Sequence, residues 1–167
     1  MADRQVQILM GSASDAAVMQ RSVDVLMELG VTSQMTVASA HRSPDRVKRI
    51  IDEAPMNGVR VFIVGAGAAA HLAGVVAAHS TLPVIGVPID SSPLLGWDSL
   101  LATVQMPPGV PVATVSVGKA GAANAAVLAA QILALSDATI AAALLDYKNK
   151  LAEKVEEMAA KVEGGGS

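Results

Sequence analysis

Four consecutive apolar residues, Val61-Phe62-Ile63-Val64, stand between Arg60 and Gly65. Side chains along a strand alternate between faces, so a short apolar run without alternation must be covered on both sides. A parallel sheet between two layers of helix provides that cover. The same unit recurs along the chain. Val6-Gln7-Ile8-Leu9-Met10 stops at Gly11, and Val18, Met19, Val23, Leu26 and Met27 then repeat at helical spacing as far as Gly30. Thr36-Val37-Ala38 ends a second strand; Val47, Ile50 and Ile51 give the inner face of a helix that opens at Pro44 and is closed by Pro55 and Gly58. Leu82–Pro88 reads as a fourth strand, Trp97–Val104 as a helix and Val112–Val117 as a fifth strand, and Gly118-Lys119-Ala120-Gly121 leads into a further helix, Ala120–Leu135. The expected fold class is α/β, a three-layer αβα sandwich with a flavodoxin-like parallel sheet of about five strands.

The helix Ala120–Leu135 is apolar almost all round, which predicts burial on every side, within the molecule or within an assembly. It is followed by a long C-terminal amphipathic helix, marked by Leu144, Tyr147, Leu151, Val155, Met158 and Val162. Asp146–Lys150 and Glu157–Lys161 have the spacing of helical ion pairs. One domain over residues 1–163 is expected, with Gly164-Gly165-Gly166-Ser167 as a flexible linker or tag remnant.

Of the 167 residues 52% are hydrophobic and 16% charged, more apolar surface than a monomer of this size needs, and a homo-oligomer is expected. A net charge of −3 with 2% aromatic residues is unlike a nucleic-acid surface, so any anion must be captured locally. With no cysteine, a disulfide framework, a thiolate zinc site and a cysteine nucleophile are excluded. The apolar segments are too short or too interrupted to span a bilayer and no secretory signal is seen, which fits a cytoplasmic protein.

Chemistry is expected in the loops that follow the first three strands, where free backbone N–H groups and helix dipoles meet. In Gly11-Ser12-Ala13-Ser14-Asp15, Ser12 and Ser14 are suited to a phosphate and Asp15 to sugar hydroxyls; plain helix capping by Ser14 or Asp15 is the ordinary alternative. Ser39-Ala40-His41-Arg42-Ser43-Pro44 offers a proton carrier in His41 and a planar cationic fork in Arg42. The plainer reading makes Ser43 a helix cap and leaves His41 and Arg42 solvated. Gly65-Ala66-Gly67-Ala68-Ala69-Ala70-His71-Leu72-Ala73-Gly74 has almost no side-chain bulk, so that a ligand or neighbouring chain can reach its backbone. His71 is its one polar side chain, and a buried, satisfied histidine is the common alternative. Ala68-Ala69-Ala70 reads as the opening turn of a helix, with negative φ at Ala68 and any unusual backbone left to Gly65 or Gly67. Gly118-Lys119 lacks the spacing of a phosphate loop.

Seven motifs occur in one order: GSASD at 11–15, SAHRSPD at 39–45, GAGAAAHLAG at 65–74, LPVIGVP at 82–88, DSL at 98–100, VQMPPGVPVATV at 104–115 and AGAANAAVLAAQIL at 120–133. Together they closely resemble the class I 5-(carboxyamino)imidazole ribonucleotide mutases of bacterial purine biosynthesis. The resemblance implies an isomerase that moves a carboxyl group from the exocyclic nitrogen to ring carbon C4 of an aminoimidazole ribonucleotide, through released CO2 and without metal or cofactor. It implies His41 as general acid and base, and it counts His71, at the wall of a CO2 pocket, in the catalytic set. Ser12, Ser14, Asp15, Ser39 and Arg42 correspond to residues around phosphate and ribose, and Ala66, Gly67 and Leu72 to the wall of a CO2 pocket. The partners implied are a ribonucleotide and CO2, with no nucleic acid or membrane, in a homo-octamer. Many members carry glycine at the position of Ala68 and proline at that of Ala73. The related class II carboxylase, which uses free CO2, and an assembly scaffold built on the same fold are the alternatives.

Overall fold

The apolar runs pair as parallel strands. The computed structural model describes residues 4–164. Its elements are β1 (Val6–Met10), α1 (Ala16–Glu28), β2 (Ser33–Val37), α2 (Pro44–Glu53), β3 (Val61–Gly67), α3 (Leu72–His79), β4 (Val84–Ile89), α4 (Trp97–Val104), β5 (Ala113–Thr114), α5 (Gly118–Ala134) and α6 (Ala138–Gly164). The strand order is β2-β1-β3-β4-β5, with every neighbouring pair parallel. The flavodoxin-like sandwich expected from the apolar runs is the architecture present.

Period-two alternation divides each strand between two cores. Val6, Ile8 and Met10 of β1, Val61 and Ile63 of β3, and Ile85, Val87 and Ile89 of β4 pack with residues of α1 and α5. Leu9, Phe62, Val64 and Ala66 point the other way, into a core with Val47 and Ile51 of α2 and Leu72, Ala73 and Val76 of α3. Close approach of α1 and α5 is pinned by the buried Ser22, whose hydroxyl donates to the Ala122 carbonyl at 2.7 Å. The order reverses at β1: the chain goes to β2 on one side and then returns to β3 on the other. Loops leaving β1, β2 and β3 therefore diverge around a crevice at the carboxyl edge of the sheet, the usual place for a ligand in this architecture.

Five details differ from the sequence reading. α5 buries Gly121, Ala122, Ala125, Ala126, Ala129, Ala130 and Leu133, but Lys119, Ala120, Asn124 and Gln131 are exposed. Alanine serves as surface as readily as core, so its abundance did not mark a second buried face. β5 pairs only at Ala113–Thr114, at the sheet edge, where one neighbour supplies the ladder. The described residues contain one ion pair, Lys48–Asp52 at 2.7 Å; Asp146–Lys150 and Glu157–Lys161 do not close, as befits exposed pairs worth little. Gly164 ends α6 rather than opening a linker, while residues 165–167 of the expected linker lie outside the described residues.

The fifth difference concerns Ala68. β3 runs on to Gly67, α3 begins only at Leu72, and Ala68 between them has φ +51° instead of opening a helix. Gly65 and Gly67 are not in the left-handed region; their need for glycine is steric, since a Cβ on Gly67 would lie 1.8 Å from the Ser91 hydroxyl oxygen. The bend demanded after β3 thus falls on the next residue. An L-residue held left-handed costs about 1–2 kcal/mol.

Candidate active site

At the carboxyl edge of β1, β2 and β3 the loops enclose a crevice of about 180 Å³. Ser12, Ser14, Asp15, Ser39, His41, Arg42, Ala66, Gly67, His71 and Leu72 all line it. Every site residue expected from the sequence is therefore brought to one place. Gly11, Ala40, Ala69 and Ser91 also line it and were not singled out beforehand. Ser91 follows β4, and its signal was its place just beyond a strand's carboxyl end, the same edge that carries the other loops.

The first loop coils into a short 3-10 turn at Ala13–Asp15, capped by Ser12, whose hydroxyl oxygen accepts from the Ser14 amide at 3.3 Å. The Ser14 hydroxyl donates to the same oxygen at 2.9 Å. Ser14 and Asp15 make no side-chain cap to α1, contrary to the capping alternative, because the 3-10 turn satisfies the first amides locally. Asp15 is only 5% exposed. Burial pushes its carboxyl above the usual aspartate range, opposed by hydrogen bonds from the Ser12 backbone and the Ser14 side chain. Folding thus makes the Asp15 carboxyl easier to protonate than it is in the unfolded chain. The stability lost to ionised Asp15 grows as pH rises from the ordinary aspartate value through the raised folded value. Asp15→Asn is expected to melt higher than the parent at pH 7, with the gap closing toward pH 4; melting curves across that range check it, and a constant gap would refute it.

The second loop is organised by its serines. The Ser39 amide donates to the Ser43 hydroxyl at 3.1 Å, the Ser43 amide to the Ser39 carbonyl at 2.9 Å and the Arg42 amide to the Ser39 hydroxyl at 3.2 Å. Ser43 makes no side-chain cap to α2, so its hydroxyl closes the loop instead of opening the helix. Arg42 is exposed, and its Nη2 donates to the Gly11 carbonyl at 2.9 Å, which ties the second loop to the first. A guanidinium has five N–H donors, and this contact uses one of them.

His41 Nε2 lies 2.8 Å from His71 Nδ1, with the rings edge to face at 84° and centroids 4.9 Å apart. His71 is exposed rather than buried, so the buried-histidine alternative does not apply. One hydrogen bridges the two nitrogens. Whichever ring owns it, the neutral pair ends in one N–H donor, at His41 Nδ1 or His71 Nε2, and one bare nitrogen at the other end. Among the described residues no cluster of three or more His, Asp or Glu is placed to hold a metal ion.

A model of the AIR carboxylase family matches residues 5–154. The chain belongs to this family. Within it, the chain is 51% identical over 152 residues to the N5-carboxyaminoimidazole ribonucleotide mutase of Bacillus subtilis, covering 91% of this chain and 94% of that one. It is 48% identical over 153 residues to the enzyme of that name from Escherichia coli, covering 92% and 90%. The crystal structure of Treponema denticola PurE superposes with a TM-score of 0.84 at 28% identity, over 95% of this chain and 96% of that one. The AIR carboxylase match takes in all the crevice loops and stops within α6, ten residues short of the last described one. No helix of the described residues is long and apolar enough to cross a membrane.

Proposed function

We propose that the chain is an N5-carboxyaminoimidazole ribonucleotide mutase, and that His41 and His71 together carry its proton transfers. The observation that supports this most is the 2.8 Å contact between their rings above a crevice lined by serines, Asp15 and Arg42. The reaction balances on such a pair. The carbamate C–N bond breaks, its electrons return to nitrogen, and CO2 is released as a proton reaches that nitrogen. Ring carbon C4, made electron-rich by the free amine, then attacks CO2, and the new C4 loses its proton to a base. One proton is given and one is taken, so the histidine pair ends as it began. His41 is the donor and acceptor; His71 holds its ring in place and shares the bridging hydrogen.

The substrate's phosphate sits on Ser12, Ser14, Ser39 and Arg42, where hydroxyls and a cationic fork suit its oxygens. Asp15 accepts from the ribose hydroxyls. Ala66, Gly67 and Leu72 give the crevice its apolar wall, against which CO2 is held between the two half-reactions. No step calls on a metal or cofactor. The decisive assay supplies the purified protein with the N-carboxylated substrate and with the unsubstituted aminoimidazole ribonucleotide plus bicarbonate. Rapid isomerisation of the first is expected. Turnover of the second alone, at low bicarbonate, would assign the class II carboxylase activity instead.

The same reading places the chain in a cytoplasmic homo-oligomer, an octamer by resemblance. In the single chain Trp97 is 68% exposed, and Leu101 and Val104 of α4, with Leu151, Val155, Met158 and Val162 of α6, are exposed as well. Apolar side chains in such number call for cover. Light scattering at micromolar concentration is expected to give a mass above that of a dimer, little changed by salt, whereas a monomer would refute the assembly.

A further inference from the structure

We infer that Ala68 is a positioning residue, whose left-handed backbone brings His71 into contact with His41; this rests on the reading of His71 as part of the site. The two histidines come from loops after β2 and β3, which are not neighbours, since β1 lies between them. Adjacent strands are about 4.8 Å apart, so the two loops set out about 10 Å from one another. Their histidine nitrogens nevertheless meet at 2.8 Å. Each loop must lean across the end of β1.

On the β2 side the lean is fixed by the serine hydrogen bonds around His41. The β3 side has no such lattice of side-chain bonds: the His71 amide donates to the Ala69 carbonyl at 2.8 Å, and the His71 carbonyl accepts from the Val75 amide at 3.0 Å, which joins His71 to the first turn of α3. The segment is fixed at its ends instead. Gly67 is pressed against Ser91, and Ala70 is buried at 1% exposure. Between these anchors the direction of the chain is decided at Ala68, with φ +51°. Ala68 is exposed and its side chain does not line the crevice, so its contribution runs through the backbone. A negative φ there would send the chain from Gly67 in another direction and withdraw His71.

The test is a series at position 68 ordered by tolerance of left-handed φ: Ala68→Gly and Ala68→Asn above the parent, Ala68→Thr and Ala68→Val below it. Each variant is made with His71 intact and with His71→Gln, and read by melting temperature, kcat, KM and the 15N resonances of the histidine rings. Gly and Asn are expected to melt at or above the parent, with the bridging imidazole signature kept and kcat equal or higher. Thr and Val are expected to lose that signature and to lower kcat by about tenfold or more with little change in KM, as a misplaced catalytic group does. In the His71→Gln background the series is expected to be flat in kcat. A ring signature that does not follow the order among the folded members overturns the inference. So does a kcat series of equal steepness without His71. If His71→Gln alone turns over like the parent, the catalytic reading of His71 fails, while the ring resonances still decide what Ala68 does.

Discussion

Replacement of His41 by asparagine is expected to leave the fold and nucleotide binding nearly unchanged and to lower turnover by at least about a hundredfold, the usual contribution of a general acid or base. Asparagine preserves a planar, hydrogen-bonding side chain near His71 but carries no proton between a donor and an acceptor at neutral pH. The site tolerates the change because His41 is exposed and packs in neither core. Steady-state rates with the N-carboxylated substrate, beside a calorimetric titration with a non-reacting nucleotide, separate the two effects. Activity within about tenfold of the parent would remove His41 from the chemistry and leave the pair without its proton carrier.

Arg42→Lys is expected to weaken nucleotide binding by about ten- to a hundredfold, the loss of one charged hydrogen bond of about 1.5–3 kcal/mol. The conservative appearance of the change is misleading. Arg42 holds the Gly11 carbonyl with Nη2 at 2.9 Å and the Ser39 hydroxyl with Nε at 3.5 Å, while Nη1 and the second N–H of Nη2 face no acceptor among the described residues and are left for an anion. A lysine ammonium is a point charge on a flexible stem and cannot hold the first loop and grip two phosphate oxygens in one plane. The loss is expected in affinity, with turnover at saturation less affected, because the phosphate is remote from the reacting carbon. Titration calorimetry of the two proteins provides the check. Equal affinities would place Arg42 in solvent and move the phosphate to the serines alone.

The chain order of the elements, the parallel sheet and the three site loops were all legible in the sequence, because they follow from local rules. An apolar run without alternation, such as Val61–Val64, demands cover on two faces whatever its neighbours do, and a glycine or serine cluster after it marks the strand's end. Ser12, Ser14, Asp15, His41 and Arg42 were legible for the same reason, since polar loops beyond strand ends gather at one edge of any sheet wound this way, whereas Ser39, Ala66, Gly67 and Leu72 were indicated only by the family resemblance. Ser91 carried one signal, its place just beyond the end of a strand, and was missed because its residue type does not distinguish a serine in a polar turn from one that lines a crevice. The outer face of α5 was misjudged because alanine does not say whether it is covered.

What only the tertiary structure decided is which groups touch across strands that are not consecutive. His41 and His71 are thirty positions apart, and their 2.8 Å contact exists because both loops lean over the end of β1, which lies between β2 and β3. Ala68 shows the same division. The sequence made Gly65 or Gly67 the natural place for an unusual φ, but Met19 takes up the space beside Gly65, and Ser91, twenty-four positions after Gly67, the space beside Gly67, so that both missing side chains serve packing. The bend then passes to an alanine that by itself prefers the opposite conformation. Local preference sets what each residue favours at a cost of a kcal/mol or so; packing against distant segments is worth more, and it settles which residue carries the strain.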